Sequence, residues 1–265
     1  MNNTTVDIYF FTGTGNTFLA ASKIAKTLEN SNCTVNIFDI AKTDVKSIDL
    51  SHTIGIGFPI ACWNTFPIVK IFINNLPIVG GTTEVFIFTT MGDSSLNAAS
   101  NFGYVLKNKG YKIIGTHGFL MPNNFIAVRK ETKNIKKREK AYKEMDVFTK
   151  SLIEENTEPI KTSLLFKLCF AITNFITDRW KGKLFQKIVK FKVKKNICNK
   201  CNLCINICPT KNIGLDKNNY PVFKAQNCQI CMRCISYCPQ KAIKSFLIKK
   251  TYQALNQQEL NKCFF

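Results

Sequence analysis

Eight cysteines fall between residues 198 and 238, in two lines of identical spacing. The first, ICNKCNLCINICPTKNI, holds Cys198, Cys201, Cys204 and Cys208; the second, NCQICMRCISYCPQKAI, holds Cys228, Cys231, Cys234 and Cys238. Each reads C-x2-C-x2-C-x3-C-P, and the pattern recurs after 30 residues. Three thiolates so close together wrap the corner of a cubane iron–sulfur cluster. The fourth is expected to be carried off by a short helix starting at the Pro, to reach a second cluster. Zinc competes for cysteine, but structural zinc closes a tetrahedron, commonly from two C-x2-C pairs set well apart. Two consecutive triplets, each completed by Cys-Pro, match the cluster spacing instead. Cys33, Cys62, Cys169 and Cys263 lie outside the repeat, and the first three are expected as buried thiols.

Twelve cysteines in 265 residues would form disulfides in a secreted chain. Clustering at C-x2-C spacing points instead to metal in a reducing compartment. The N-terminus, MNNTTVDIYF, has no basic n-region and runs directly into an apolar strand, so it does not read as a signal peptide. No uncharged apolar run approaches the about 18 residues of a spanning helix. A cytoplasmic location is expected.

Residues 1–155 alternate between strand and helix patterns. Short apolar runs at Val6–Phe11, Val35–Ile40, Thr53–Phe58, Glu84–Thr90 and Lys112–Phe119 read as strands. Helical stretches lie near Asn16–Glu29, Thr65–Asn75 and Ser94–Lys109. A further one runs from Thr132 to about Glu155, with Ile135, Tyr142, Met145, Phe148 and Leu152 along one face. Strands separated by helices imply a five-stranded parallel sheet covered on both sides, doubly wound, with ligand loops at the strands' carboxyl ends.

The loop after the first strand, FTGTGNTF, sits where a helix begins. It lacks the Lys of G-x-x-x-x-G-K-[ST], and Phe18 stands where the third Gly of G-x-G-x-x-G would be. What it does contain is T-x-T-G-x-T, formed by Thr12, Gly13, Thr14, Gly15, Asn16 and Thr17. Hydroxyls and backbone N–H groups converging at a helix N-terminus suit one terminal phosphate, with no metal or Lys required. This motif, between a first strand and a first helix, resembles flavodoxin over about residues 1–155. The resemblance implies noncovalent FMN at the ends of the first, third and fourth strands. Its further contacts would come from GFPIACWNTFP (57–67), with Pro59 and a stacking Trp63, and from TTMGDSS (89–95), with Thr90, Gly92 and Asp93. MPNNF (121–125) would lie on the same rim.

The cysteine repeat in turn resembles bacterial dicluster ferredoxins. That resemblance implies one [4Fe–4S] cluster on Cys198, Cys201, Cys204 and Cys238, and another on Cys228, Cys231, Cys234 and Cys208. Asn199-Lys200 and Asn202-Leu203 stand where such ferredoxins often place Gly; Asn also tolerates left-handed backbone.

The net charge of +20 is unevenly placed: residues 1–120 carry +1, 121–195 carry +11 and 196–265 carry +8. Such a surface draws acidic protein partners, anionic lipid or nucleic acid; compositional drift towards Lys is the plain alternative. Nucleic acid is not expected, since the basic stretch contains no recognisable module. Residues 160–195 form a basic amphipathic stretch whose expected role is packing on a domain, with a membrane surface as the alternative.

The expected organisation is a flavodoxin-like FMN domain (1–157), a helical connector (158–195), a small α+β dicluster ferredoxin domain (196–247) and a tail (248–265). As a whole the chain resembles the flavodoxin–ferredoxin fusion proteins of anaerobic bacteria. That implies an electron-transfer protein working between two clusters and FMN; the basic charge, rather than the resemblance, points to acidic redox protein partners. The alternative is a flavin-dependent reductase whose clusters feed FMN for reduction of a small molecule. No catalytic residue is singled out: His52 and His117, the only histidines, have no partner motif.

Overall fold

The structure, a computed structural model, describes residues 4–61, 64–93, 98–124, 130–156, 172, 189–224, 227–248 and 251–265. The first half alternates as β1 (Thr5–Phe10), α1 (Asn16–Glu29), β2 (Thr34–Asp39), β3 (Thr53–Pro59), α2 (Pro67–Asn75), β4 (Glu84–Met91), α3 (Ala98–Asn108), β5 (Lys112–Leu120) and α4 (Glu131–Ile153). The five strands form one parallel sheet in the order β2-β1-β3-β4-β5. This is the doubly wound, flavodoxin-like order, whose switch point lies between β1 and β3.

Alternate side chains of each central strand enter two separate cores. Val6, Ile8 and Phe10 of β1 join Phe86 and Phe88 of β4 beneath α1 and α4. Tyr9, Ile54, Ile56, Phe58, Val85 and Ile87 pack beneath α2 and α3. In β3, Gly55 and Gly57 stand opposite Phe86 and Phe88. A Cβ at either glycine would come within 2.4 and 2.2 Å of the facing ring, so the absent side chains make room for the two phenylalanines. Along α4, Met145, Phe148 and Leu152 are buried and Tyr142 is partly buried against the same core. Ile135, expected on that face, is 41% exposed, and Asn134 is buried instead. The stripe runs 134-141-145-148-152, and Ile135 lies about 100° off it. α2 starts at Pro67 rather than Thr65, because Pro is pre-set for the first helical position.

The second half comprises β6 (Phe191–Val193), α5 (Leu203–Asn206), β7 (Ile213–Leu215), β8 (Pro221–Phe223), α6 (Arg233–Ser236), β9 (Ile243–Ser245) and α7 (Gln257–Phe264). β6 pairs antiparallel with β9, and β7 with β8. β6 falls within the stretch read as connector, and Val189 belongs to the same small core as Ile213, Ile235 and Ile243. Val189 and β6 thus pack with the residues expected as the 196–247 module. Most of the expected connector lies outside the described residues. α5 and α6 end before Cys208-Pro209 and Cys238-Pro239, so the short helix precedes each Cys-Pro instead of starting at it. After each Cys-Pro the chain turns through Lys211 and Lys241, both left-handed at φ 49°.

The tail is folded. Asn256 caps α7 in a full capping box with Glu259, and Leu255, Leu260, Cys263 and Phe264 join the core beneath α1. Cys33 is buried as expected, and so is Cys263; Cys62 and Cys169 lie outside the described residues. Among the described residues no helix is long and apolar enough to cross a membrane.

Candidate functional site

The structure gathers the repeat cysteines in two groups, each mixing both lines of sequence. Cys198, Cys201, Cys204 and Cys238 line one small cavity, with Val193, Ala242 and Ile243 as its apolar wall. Cys208, Cys228, Cys231 and Cys234 line another, with Phe191, Ile213 and Phe223. A zinc ion would draw four sulfurs to about 2.3 Å of one point. Here each cavity takes three cysteines from one line of the repeat and one from the other, the crossed set that two cubanes require.

The two loops share a backbone. Left-handed φ angles occur at Lys200, Asn202 and Lys211, and 30 residues on at Ile230, Met232 and Lys241. A β-branched residue at φ 55°, as at Ile230, is unfavourable on its own, so the loop's shape is imposed by its surroundings. The N–H of Asn212 donates to Cys208 Sγ at 3.2 Å, and that of Ala242 donates to Cys238 Sγ at 3.2 Å. Such bonds help set a cluster's potential. Burial, then the neighbouring Cys201 and Cys238, push the Cys204 thiol up to about 11. A thiolate there requires a compensating cation beside it.

At the other site, residues 12–17 are all buried. Thr12 Oγ1 accepts from the N–H of Gly15, which is left-handed at φ 104° and caps α1. Thr14 Oγ1 accepts from Asn124 Nδ2 at 2.6 Å, and Thr17 Oγ1 bonds Thr90 Oγ1 at 2.8 Å. Thr12 and Thr14 thus keep their own protons to donate. The N–H groups of Thr12, Gly13, Thr14, Asn16, Thr17 and Phe18 have no hydrogen-bond partner among the described residues. Buried donors rarely stay unpaired. Six of them in one loop at a helix N-terminus make an anion site, so the chain's own groups fit the phosphate of FMN.

Other residues expected near the flavin also gather at this end of the sheet. Pro59 and Thr90 are register partners, and the N–H of Ile60 donates to Thr90 O. Gly92 lies against Asn123, and Asp93 is exposed. The loop after β5 sits on the rim as expected: Pro122 O accepts from Asn16 Nδ2 at 2.9 Å. Trp63 lies outside the described residues.

The loop of Cys228–Cys234 rests directly on the 12–17 loop. A Cβ on Gly13 would lie 2.1 Å from the carbonyl oxygen of Cys231. Arg233, 2% exposed, fastens the contact. Its Nε donates to Thr12 O at 2.8 Å, and its Nη2 pairs with Asp39 Oδ2 at 3.1 Å. The guanidinium is sandwiched between Phe11 (4.8 Å) and Phe264 (4.7 Å). Gln229 Oε1 accepts from the N–H of Ile68 at the start of α2. The tail closes the other side: Ala254 N–H donates to Thr14 O, and Leu255 and Tyr237 lie on Gly15.

Sequence reasoning missed Arg233, Asp39, Tyr237 and the tail. Arg233 stands between two cysteines like any basic residue of this chain, and Asp39 is 194 positions away. The tail did carry a signal, Asn256-x-x-Glu259 followed by Leu260, Cys263 and Phe264 at helical spacing. His52 and Asp7 pair at the opposite end of the sheet from the site.

Residues 197–242 match the family model of the 4Fe-4S dicluster domain. No curated protein matches the chain. Among solved structures, it is similar to a flavodoxin from the domain Archaea, with 11% identity over 56% of this chain and 99% of that one, at a TM-score of 0.42. Two-electron reduced flavodoxin from Megasphaera elsdenii is 20% identical over 52% and 98%, at a TM-score of 0.41. A short-chain flavodoxin associated with a non-canonical PDU bacterial microcompartment is 15% identical over 58% and 99%, at a TM-score of 0.46. Strand order and family match together make this chain a flavodoxin-like fold joined to a 4Fe–4S dicluster domain.

Proposed function

We propose that this chain is an electron-transfer protein working between two [4Fe–4S] clusters and one noncovalent FMN. The observation that carries the reading is the seating of the Cys228–Cys234 loop on the 12–17 loop, with the Cys231 carbonyl against Gly13. When bound, each cluster carries one electron and the flavin takes up two with protons from water, so two clusters hold what one flavin accepts.

The chain's residues would act by placement. Cys198, Cys201, Cys204 and Cys238 hold the outer cluster, and Cys208, Cys228, Cys231 and Cys234 the one nearer the flavin. The unpaired N–H groups of the 12–17 loop and the Thr12 and Thr14 hydroxyls hold the phosphate. Arg233, itself not a ligand, keeps the two sites in one arrangement by pairing with Asp39 and Thr12 across the junction. The tail shuts water away from the loop through Ala254 and Leu255.

The test is a rapid anaerobic reduction of the purified holoprotein, followed at the flavin absorbance over a range of protein concentrations. A flavin signal whose rate is independent of concentration supports internal transfer. A rate proportional to concentration means that electrons pass between molecules, and the relay reading fails.

A further inference from the structure

The two-stranded ribbon β6–β9 has two unlike faces. Val193 and Ile243 are cross-strand partners and both line the cavity of Cys198, Cys201, Cys204 and Cys238; Phe191 lines the other cavity. The outward positions are Lys190, Lys192 and Lys194 along one strand and Lys244 and Phe246 along the other, all exposed. Lys192 stands directly opposite Lys244, and like charges so placed destabilise a strand pair. No ion pair among the described residues relieves these four lysines. Between residues 189 and 248 the sequence has one carboxylate, Asp216, and Lys195 takes it at 2.7 Å. Phe246 is 88% exposed at the same edge, an aromatic anchor amid charge.

A ribbon that spends stability on stacked lysines, and leaves a phenylalanine in water, is built for a partner that supplies both missing halves. We propose that the outer face of β6–β9 is the docking surface for an acidic electron-carrier protein. Carboxylates of the carrier would meet Lys190, Lys192, Lys194 and Lys244, and an apolar spot on it would receive Phe246. The ribbon is a single layer thick, so a carrier seated there stands one strand away from the cavity of the first cysteine group. An anionic membrane would satisfy the lysines alone; the cavity directly behind them favours a redox protein. This inference rests on the electron-transfer reading and names its partner.

The experiment uses the full holoprotein, with iron and flavin content measured first; absence of either would defeat the electron-transfer reading before docking is addressed. Binding of an acidic recombinant flavodoxin is then titrated by fluorescence anisotropy at low and physiological salt. Wild-type protein should bind, with affinity falling steeply as salt rises. The double variant K192E/K244E should bind at least about tenfold more weakly and lose most of that salt dependence. F246S should weaken binding without changing the salt slope. Iron content and the cluster absorbance of both variants serve as folding controls; should K192E/K244E lose iron, K190E/K194E replaces it. Unchanged binding by the charge-reversed variants overturns the proposal. So does binding to equimolar phosphatidylcholine–phosphatidylserine vesicles with none to the acidic protein, which would assign the face to a membrane.

Discussion

Replacing Arg233 by Met should separate the two halves of the molecule without emptying the cysteine cavities. Both side chains of the Arg233–Asp39 pair are 3% exposed. Removing one partner of a buried pair leaves the other as an uncompensated charge, at a cost of about 3–5 kcal/mol. Asp39 retains a bond from the N–H of Ala41 at 3.0 Å, which places the loss towards the lower figure. At about 1.4 kcal/mol per tenfold, the docked arrangement should weaken by roughly a hundredfold or more. Arg233→Lys should fare little better: an ammonium cannot reach Thr12 O and Asp39 together, nor lie flat between Phe11 and Phe264. The double variant R233M/D39L should recover most of the loss, because an apolar pair carries no desolvation cost. The assay is limited proteolysis with small-angle scattering on iron-loaded protein, and Asp39→Asn serves as a variant outside both cavities of repeat cysteines. If R233M and D39N stay as compact and protease-resistant as wild type, the pair does not hold the junction. Failure of the double variant to recover would refute the charge argument specifically.

Four further outcomes are expected. Thr14→Val removes one donor from the phosphate loop, so FMN affinity should fall by about 1–3 kcal/mol while riboflavin affinity holds; equal losses for both ligands would count against the loop. Gly13→Ala drives a Cβ onto the Cys231 carbonyl oxygen, backbone against backbone, and should reproduce the protease sensitivity of R233M; wild-type resistance would contradict the close contact. Purified anaerobically, the protein should hold about eight iron and eight sulfide, and Cys208→Ala should disturb the group of Cys228, Cys231 and Cys234 and spare the other; a zinc-only protein refutes the cluster reading. His52 bonds Asp7 at 2.9 Å, chiefly through that bond its pKa is raised above the ordinary 6.5, and its folded form therefore prefers the proton. Its contribution should be complete below about pH 6.5 and vanish as pH rises through the folded value, so the difference in Tm between wild type and His52→Asn should shrink towards alkaline pH; a difference that grows would reverse the sign.

What could be read from the sequence, and what could not, divides by the range of the interactions involved. All five strands lie within a residue or so of their apolar runs; the central β1, β3 and β4 are buried on both faces and so write continuous hydrophobic stretches. α1 coincides with the expected span, since a glycine loop starts it and its apolar face is periodic. The cysteine spacing repeats because each loop wraps the same kind of object, down to matching left-handed residues 30 positions apart. The junction left no such trace. Arg233 acquires its role only when Thr12, Asp39 and Phe264 arrive from distant parts of the chain. Gly13 is harder still, because it already has a sufficient local reason. A phosphate loop needs small residues for close backbone approach, and that need hides the second demand, from the Cys231 carbonyl packed on its other side. A motif that accounts for a residue completely at short range conceals what the same residue does at long range. The contact that makes one molecule of two modules therefore fell on residues that appeared to be explained already.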